Sequence, residues 1–338
     1  MKTLVLEQEH RLVAAERPLV DQPGKAVVKI RSIGICGTDT SAYKGDFPML
    51  TYPRVLGHEL AGELVSVPEN NAQGLRVGDR VVIEPYMYCG QCYPCRIGRT
   101  NCCERLNVLG VHVDGGMAEY LSHDLHLVHK APEHLPWEHL TMVEPLTISV
   151  HAVHRIAPQP GEHVLITGAG TIGLLAAQYA AAKGAVPIIV DMLEKRLRIA
   201  EELGIRHTIN ASLTDPAETV RKITGGTMAE AMIEASGSPN AVRSAIDLVA
   251  FAGRVALVGY SKREVTLPTF MIKRKELDIL GSRNSAREFP LAIRLIGEGK
   301  IKLDPLITNV IDFDELPEYF RRMTERPDDY LKVIARLG

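Results

Sequence analysis

Val164-Leu165-Ile166-Thr167-Gly168-Ala169-Gly170-Thr171-Ile172-Gly173 is the stretch that decides the fold. Its first four residues read as a buried strand, and the apolar run from Ile172 to Lys183 reads as a helix. Between them the glycines stand as G-x-G-x-x-G. Gly168 permits a tight turn, Gly170 lets the backbone approach a pyrophosphate, and Gly173 lets helix pack on strand. Phosphates then sit at the helix N-terminus, where free N–H groups and the dipole favour anions, and Ile172 in the first turn joins the cofactor-binding set. Asp191 follows Gly173 by eighteen residues, at the end of the next strand. A carboxylate there hydrogen-bonds the ribose hydroxyls and repels a 2′-phosphate, which favours NAD over NADP. Arg196 is read as covering the adenine face, with Lys195 and Arg196 as an alternative phosphate hold.

Working outward, strand candidates lie at 164–167, 187–191, 207–210, 231–234, 254–258 and 276–280, with helical runs such as Glu194–Leu203 between them. That alternation predicts an α/β architecture with a parallel, doubly wound sheet. Residues 1–80 read instead as β-rich, with short β-branched runs at Val27–Ile30 and Arg80–Ile83 between Pro and Gly turns. Residues 286–338 mix helix and strand and are expected to return to the first domain. The expected division is 1–148 with 286–338 as one domain, and 149–285 as the dinucleotide-binding domain.

The 338 residues suffice for two cored domains, and 46% apolar with 24% charged residues is an ordinary globular balance. A formal net charge of −2 argues against a broad electrostatic grip on nucleic acid or an anionic membrane. The longest apolar stretch, Val164 to Val190, is interrupted by Lys183, four glycines and Pro187, so it is no membrane span. The start MKTLVLEQEHRLV turns charged too early for a signal peptide, so a cytoplasmic location is expected.

Five of the six cysteines fall within fifteen residues, from Cys89 to Cys103. Such clustering in a large chain favours a metal over disulfides. Cys89, Cys92, Cys95 and Cys103 can close a tetrahedral thiolate shell around a structural zinc. Cys102 is left as a small spare residue. A closed shell does no chemistry, which directs attention to Cys36 in Gly34-Ile-Cys36-Gly-Thr38-Asp39, to His58 and Glu59, and to Glu144 before Pro145. Together they offer one thiolate, one imidazole and up to two carboxylates, the incomplete shell of a catalytic zinc. Glu59 is either a ligand or, like Asp39, a residue behind the ligands.

These three motifs, in the order they take along the chain, resemble the zinc-dependent medium-chain alcohol dehydrogenases over essentially the whole chain. Glu144, where other alcohol dehydrogenases carry cysteine, is similar to the polyol and threonine dehydrogenase branch. Tyr52–Glu59, Gly98–Glu104, Gly110–Gly116 and Gly281–Asn284 resemble bacterial sugar-acid dehydrogenases of the L-galactonate oxidoreductase type. The resemblance implies a GroES-like β-rich catalytic domain plus a Rossmann domain, an active site in the cleft between them, and a homotetramer or homodimer. It implies two zinc ions per chain and NAD, and an EC 1.1.1 enzyme acting on a secondary hydroxyl of a sugar acid or polyol. Thr38 is implied to receive the substrate proton.

Two positions depart from the family pattern. Ser41 stands where many members have histidine, five residues after the zinc cysteine, and serine passes a proton without storing one near neutral pH. Met117 replaces a common aromatic and is expected to affect packing. Arg283 and Asn284, after the last strand, are substrate-site candidates, with Arg283 able to pair a substrate carboxylate, and His112 and Asp114 in a Gly-rich loop are further substrate-site candidates. His123, His126 and His129 are read as solvated or edge-strand residues, and His151 and His154 as structural. An L-threonine 3-dehydrogenase-type enzyme is the alternative within the family. A non-catalytic zinc- and NAD-binding regulator is the alternative of another class, disfavoured because the second ligand set has no purpose in it.

Overall fold

The computed structural model describes residues 1–19, 22–261 and 263–338. It falls into two units: Met1–Glu144 with Phe289–Glu298 and Ile307–Gly338, and Pro145–Glu288 with Gly299–Leu306.

The second unit is the doubly wound sheet that the glycine motif implies. Its six strands are His163–Thr167, Val186–Asp191, His207–Asn210, Ala229–Glu234, Val249–Leu257 and Asp278–Gly281. Numbered along the chain they lie in the order 3-2-1-4-5-6, all parallel. The order reverses beside the first strand, which opens a crevice at its carboxyl end, beyond Thr167. The fifth strand begins five residues before the expected 254, because Val249 already pairs with Ala229; the register then shifts before Arg254 meets Ala231, and Ala252 in that bulge takes a positive φ of 56°.

In the first unit, a seven-stranded sheet runs Ile307–Asp312, Lys332–Arg336, Ala26–Gly34, Glu59–Ser66, Arg80–Ile83 and Val128–Lys130, with Tyr120–His123 also paired to Ala26–Gly34. Lys332–Arg336 and Glu59–Ser66 flank Ala26–Gly34, both antiparallel to it, with Ile334 and Glu59 each opposite Gly34. Residues near 36, 58 and 332 are therefore gathered at one end of three adjacent strands. Met117 is fully buried in this unit's core, so its effect is one of packing. Among the described residues, no helix is long and apolar enough to cross a membrane.

The three alternating histidines do not share one environment. His126 is exposed, but His123 is buried, with Nε2 2.9 Å from the Glu84 carbonyl oxygen. His129 is half-buried, bonded through Nε2 to Glu84 Oε2 at 2.8 Å. His123 ends the strand Tyr120–His123, His126 lies in the 3-10 turn Leu125–Leu127 and His129 is in the strand Val128–Lys130, and only the middle histidine is exposed. Burial pushes the His123 imidazole down to about 4, against the helping carbonyl of Glu84. The fold therefore resists protonating it: its stability is complete above pH 6.5 and declines as pH falls toward 4. The ceiling of that loss is about 3 kcal/mol. A His123→Gln variant, whose amide still donates to Glu84, is expected to lose less stability than wild type between pH 6.5 and 4. Parallel urea titrations across that range are the check, and superimposable pH dependences would refute the assignment.

Candidate active site

Four sulfurs meet in the lobe of the first unit. The Sγ atoms of Cys89, Cys92, Cys95 and Cys103 all lie within 4.8 Å of one another, and Cys102 is outside the group. No cysteine is in a disulfide. Backbone N–H groups of Gln91 and Cys92 point at Cys89 Sγ, and those of Cys89 and Arg105 at Cys103 Sγ. The amides of Gln91 and Cys92 pull the Cys89 thiol down to about 5, whereas burial and then Cys92 push Cys95 up to about 12. Four thiolates this close repel one another unless a cation balances them. The donor set fits a closed tetrahedral zinc site.

The second cluster is built by strand register. Cys36 follows the Ala26–Gly34 strand and caps the helix Gly37–Tyr43, its backbone N–H donating to Asp39 Oδ2 at 2.9 Å. His58 immediately precedes the antiparallel strand Glu59–Ser66. Ligand atoms of Cys36, His58 and Glu59 lie within 4.8 Å of one another, with His58 and Glu59 buried. His58 Nδ1 is buried without a hydrogen-bond partner, 3.6 Å from Asp39 Oδ1. Burial opposes a charge on His58, but Asp39, Cys36 and Glu144 outweigh it and raise its pKa well above the ordinary value. Burial likewise raises Asp39, opposed by His58.

Glu144 lies outside the tightest group, in the first turn of the helix Val143–Ile156, and is 3% exposed. Burial, reinforced by Glu59 and opposed by His58, pushes its carboxyl up to about 7. Its Oε1 accepts a hydrogen bond from the buried phenol of Tyr86. Glu59 is held differently. Lys332 Nζ lies 2.7 Å from both Glu59 oxygens and 3.1 Å from the Ile35 carbonyl oxygen. Burial disfavours the Lys332 charge, but Glu59 and Cys36 outweigh it, so the ammonium is retained. Sequence reasoning named neither Lys332 nor Tyr86. A lysine at the head of the apolar run Val333-Ile334-Ala335 was the available signal for the first.

Thr38 and Ser41 are half-buried and one turn apart on the helix Gly37–Tyr43. Asp114 is taken up elsewhere, accepting from Arg17, Arg54 and the Val55 N–H, and His112 Nδ1 accepts from the Val108 N–H. Those bonds serve loop structure and do not mark a substrate pocket.

In the second unit, Gly168 turns the chain at φ 95°, and a Cβ on Gly173 would stand 1.9 Å from the Gly168 oxygen. Gly170 caps the helix Thr171–Ala182, and open space surrounds the place where its Cβ would be. That is the cradle a pyrophosphate requires. Asp191 accepts from the Ala169 N–H at 2.7 Å and the Leu193 N–H at 2.9 Å, with Arg196 Nη1 4.0 Å away. Ile172 accepts through its carbonyl from Ser149. Arg283 and Asn284 follow the sixth strand, Arg283 exposed and Asn284 half-buried at φ 49°. His151 and Glu288 are paired at 2.9 Å, and His154 bonds Tyr179 at 3.0 Å.

A model of the alcohol dehydrogenase GroES-like domain matches residues 22–133, and one of the zinc-binding dehydrogenases matches 171–298. An uncharacterized zinc-type alcohol dehydrogenase-like protein of Haemophilus influenzae is 46% identical over 99% of this chain and 98% of its own. The L-galactonate-5-dehydrogenase of Escherichia coli is 39% identical over 95% of each. The crystal structure of the E. coli CFT073 alcohol dehydrogenase RspB with NADH superposes at a TM-score of 0.92, with 34% identity, covering 100% of this chain and 99% of that one. The chain belongs to the zinc-dependent medium-chain alcohol dehydrogenases.

Membership in the medium-chain dehydrogenases makes this protein an EC 1.1.1-type oxidoreductase of the polyol and sugar-acid kind, with zinc and a nicotinamide dinucleotide as cofactors. The GroES-like and Rossmann folds expected from the motifs are both present. The non-catalytic reading is set aside.

Proposed function

We propose that this enzyme oxidises a secondary hydroxyl of a sugar acid or polyol, L-galactonate-like in structure, with NAD as acceptor. The carboxylate donor Glu144, within electrostatic reach of His58, carries the reading, and the similarity to an L-galactonate-5-dehydrogenase supports it. Cys36, His58 and Glu144 would hold the catalytic zinc, and Cys89, Cys92, Cys95 and Cys103 the structural one. Glu59 stands behind the ligands, because Lys332 already occupies both its oxygens. A zinc held there supplies Lewis acidity toward the hydroxyl, and the dinucleotide supplies the hydride acceptor.

The chain's own groups do the rest. Asp39 fixes both the Cys36 and Gly57 N–H groups, which sets the thiol and imidazole in place. The Thr38 hydroxyl would accept the substrate proton while its own passes on toward the nicotinamide ribose, and Ser41, three residues along the same helix, can pass a proton but not store one near neutral pH. Gly168, Gly170 and Gly173 bring backbone to the pyrophosphate. Asp191 receives the ribose hydroxyls, while Arg196 flanks the adenosine. Arg283 and Asn284 meet the substrate carboxylate.

Two measurements test the proposal. A panel of sugar acids, polyols, threonine and simple alcohols, read as NADH formation, is expected to favour sugar acids or polyols. Activity confined to simple primary alcohols would overturn it. Metal analysis is expected to find two zinc ions per chain, with Cys36→Ala keeping only the structural one. A single zinc that survives Cys36→Ala and is lost in Cys92→Ala would refute the catalytic site.

A further inference from the structure

We infer that Tyr86 is a positioning residue for Glu144, fixing the carboxylate that completes the metal shell; this rests on the proposed role of Glu144 as a ligand. The two buried carboxylates of the cluster are treated in opposite ways. Glu59 has both oxygens on the ammonium of Lys332. Glu144 instead receives, at Oε1, a hydrogen bond from a phenol. An ammonium neutralises the charge that a cation would need. A phenol donates one hydrogen bond and leaves the carboxylate's full negative charge for the metal.

A glutamate ligand has a particular need for such a partner. A cysteine places its sulfur with one side-chain torsion, whereas a glutamate must order three, and its carboxylate can rotate. The phenol supplies that order because it is itself immobile. Tyr86 is 3% exposed and sits in a two-residue strand paired with Asn107–Val108. Its ring meets Phe289 edge-on at 6.4 Å. Phe289 is fully buried and stacks on His129 at 5.1 Å, and His129 is tied to Glu84. Tyr86 and Glu144 are 58 residues apart, so their contact exists only in the folded unit.

The test uses the zinc-loaded enzyme and a chromophoric chelator that follows metal release in time. The four-cysteine zinc is an internal control. Tyr86→Phe, which keeps the ring packing, is expected to release one zinc about 10- to 100-fold faster, with the second release unchanged. In a Glu144→Cys background, whose thiolate needs no phenol, Tyr86→Phe is expected to add no further acceleration. Wild-type release in Tyr86→Phe, or equal acceleration of both zinc ions, would overturn the positioning role. Equal acceleration would mean that the hydroxyl serves packing alone. Glu144→Ala separates the two layers. If it retains both zinc ions with wild-type release, the ligand assignment falls. If it loses one while Tyr86→Phe behaves as wild type, only the positioning role falls.

Discussion

Replacing Lys332 with methionine is expected to destabilise the catalytic unit by about 3–5 kcal/mol. Methionine has nearly the length of lysine and keeps the packing, so the loss isolates the charge. Glu59 is 1% exposed and Lys332 3% exposed, which leaves no water to take over from the missing ammonium. Removing one partner of such a pair costs more than the pair itself contributes, because the survivor keeps its desolvation penalty. Glu59→Gln alone is expected to be destabilising for the mirrored reason. The double variant is expected to lose less than the sum of the single losses, with a coupling of about 1–3 kcal/mol. Urea unfolding at fixed zinc concentration gives all four corners of that cycle. Additive losses would mean that Glu59 draws its compensation from elsewhere. Gly34 makes the same point sterically, since a Cβ there would stand 2.1 Å from Glu59 Oε2. Gly34→Ala must push the carboxylate off Lys332, and is expected to lower kcat/KM as well as stability.

That pair also marks where reading along the chain stops. Gly168 and Gly173 are legible because their demands are local: one turns at positive φ, and the other lies against a backbone oxygen five residues back. The four cysteines are legible for the same reason, since short loops set their spacing. Cys36, His58 and Glu144 are each ambiguous alone and could be read as a candidate site only as a set. Lys332 is beyond that method. It reaches the Ile35 carbonyl across 297 residues of chain, and only the pairing of Ile334 with Gly34 places it there. Tyr86 is hidden likewise, since nothing in Pro85-Tyr86-Met87 announces a carboxylate from a distant helix. The alternation reads His123 as a solvated or edge-strand residue; it does end the strand Tyr120–His123, but its burial against the Glu84 carbonyl, 39 residues away, is not legible in the local spacing.

Asp191→Ser is expected to weaken NAD binding about 10- to 100-fold and to improve NADP binding relative to NAD. Two effects contribute to the first change, and they can be separated. Asp191 accepts the N–H of Ala169 inside the glycine turn and that of Leu193 at the start of the following helix. A serine hydroxyl is too short to serve both, so the turn loses order together with the proposed ribose contact. Asp191→Asn keeps one acceptor oxygen at nearly the same reach and removes only the charge. The second change depends on charge alone. Arg196 Nη1 lies 4.0 Å from Asp191 Oδ2, and without that carboxylate its positive charge is free to meet a 2′-phosphate. Both variants should therefore shift the NAD-to-NADP ratio of kcat/KM in the same direction, while Asn should retain more of the absolute affinity for NAD. Titrations of cofactor fluorescence with each dinucleotide, alongside the kinetics, resolve the two contributions. A ratio unchanged in both variants would mean that Asp191 serves only to hold Ala169 and Leu193, and that the ribose is read by another residue.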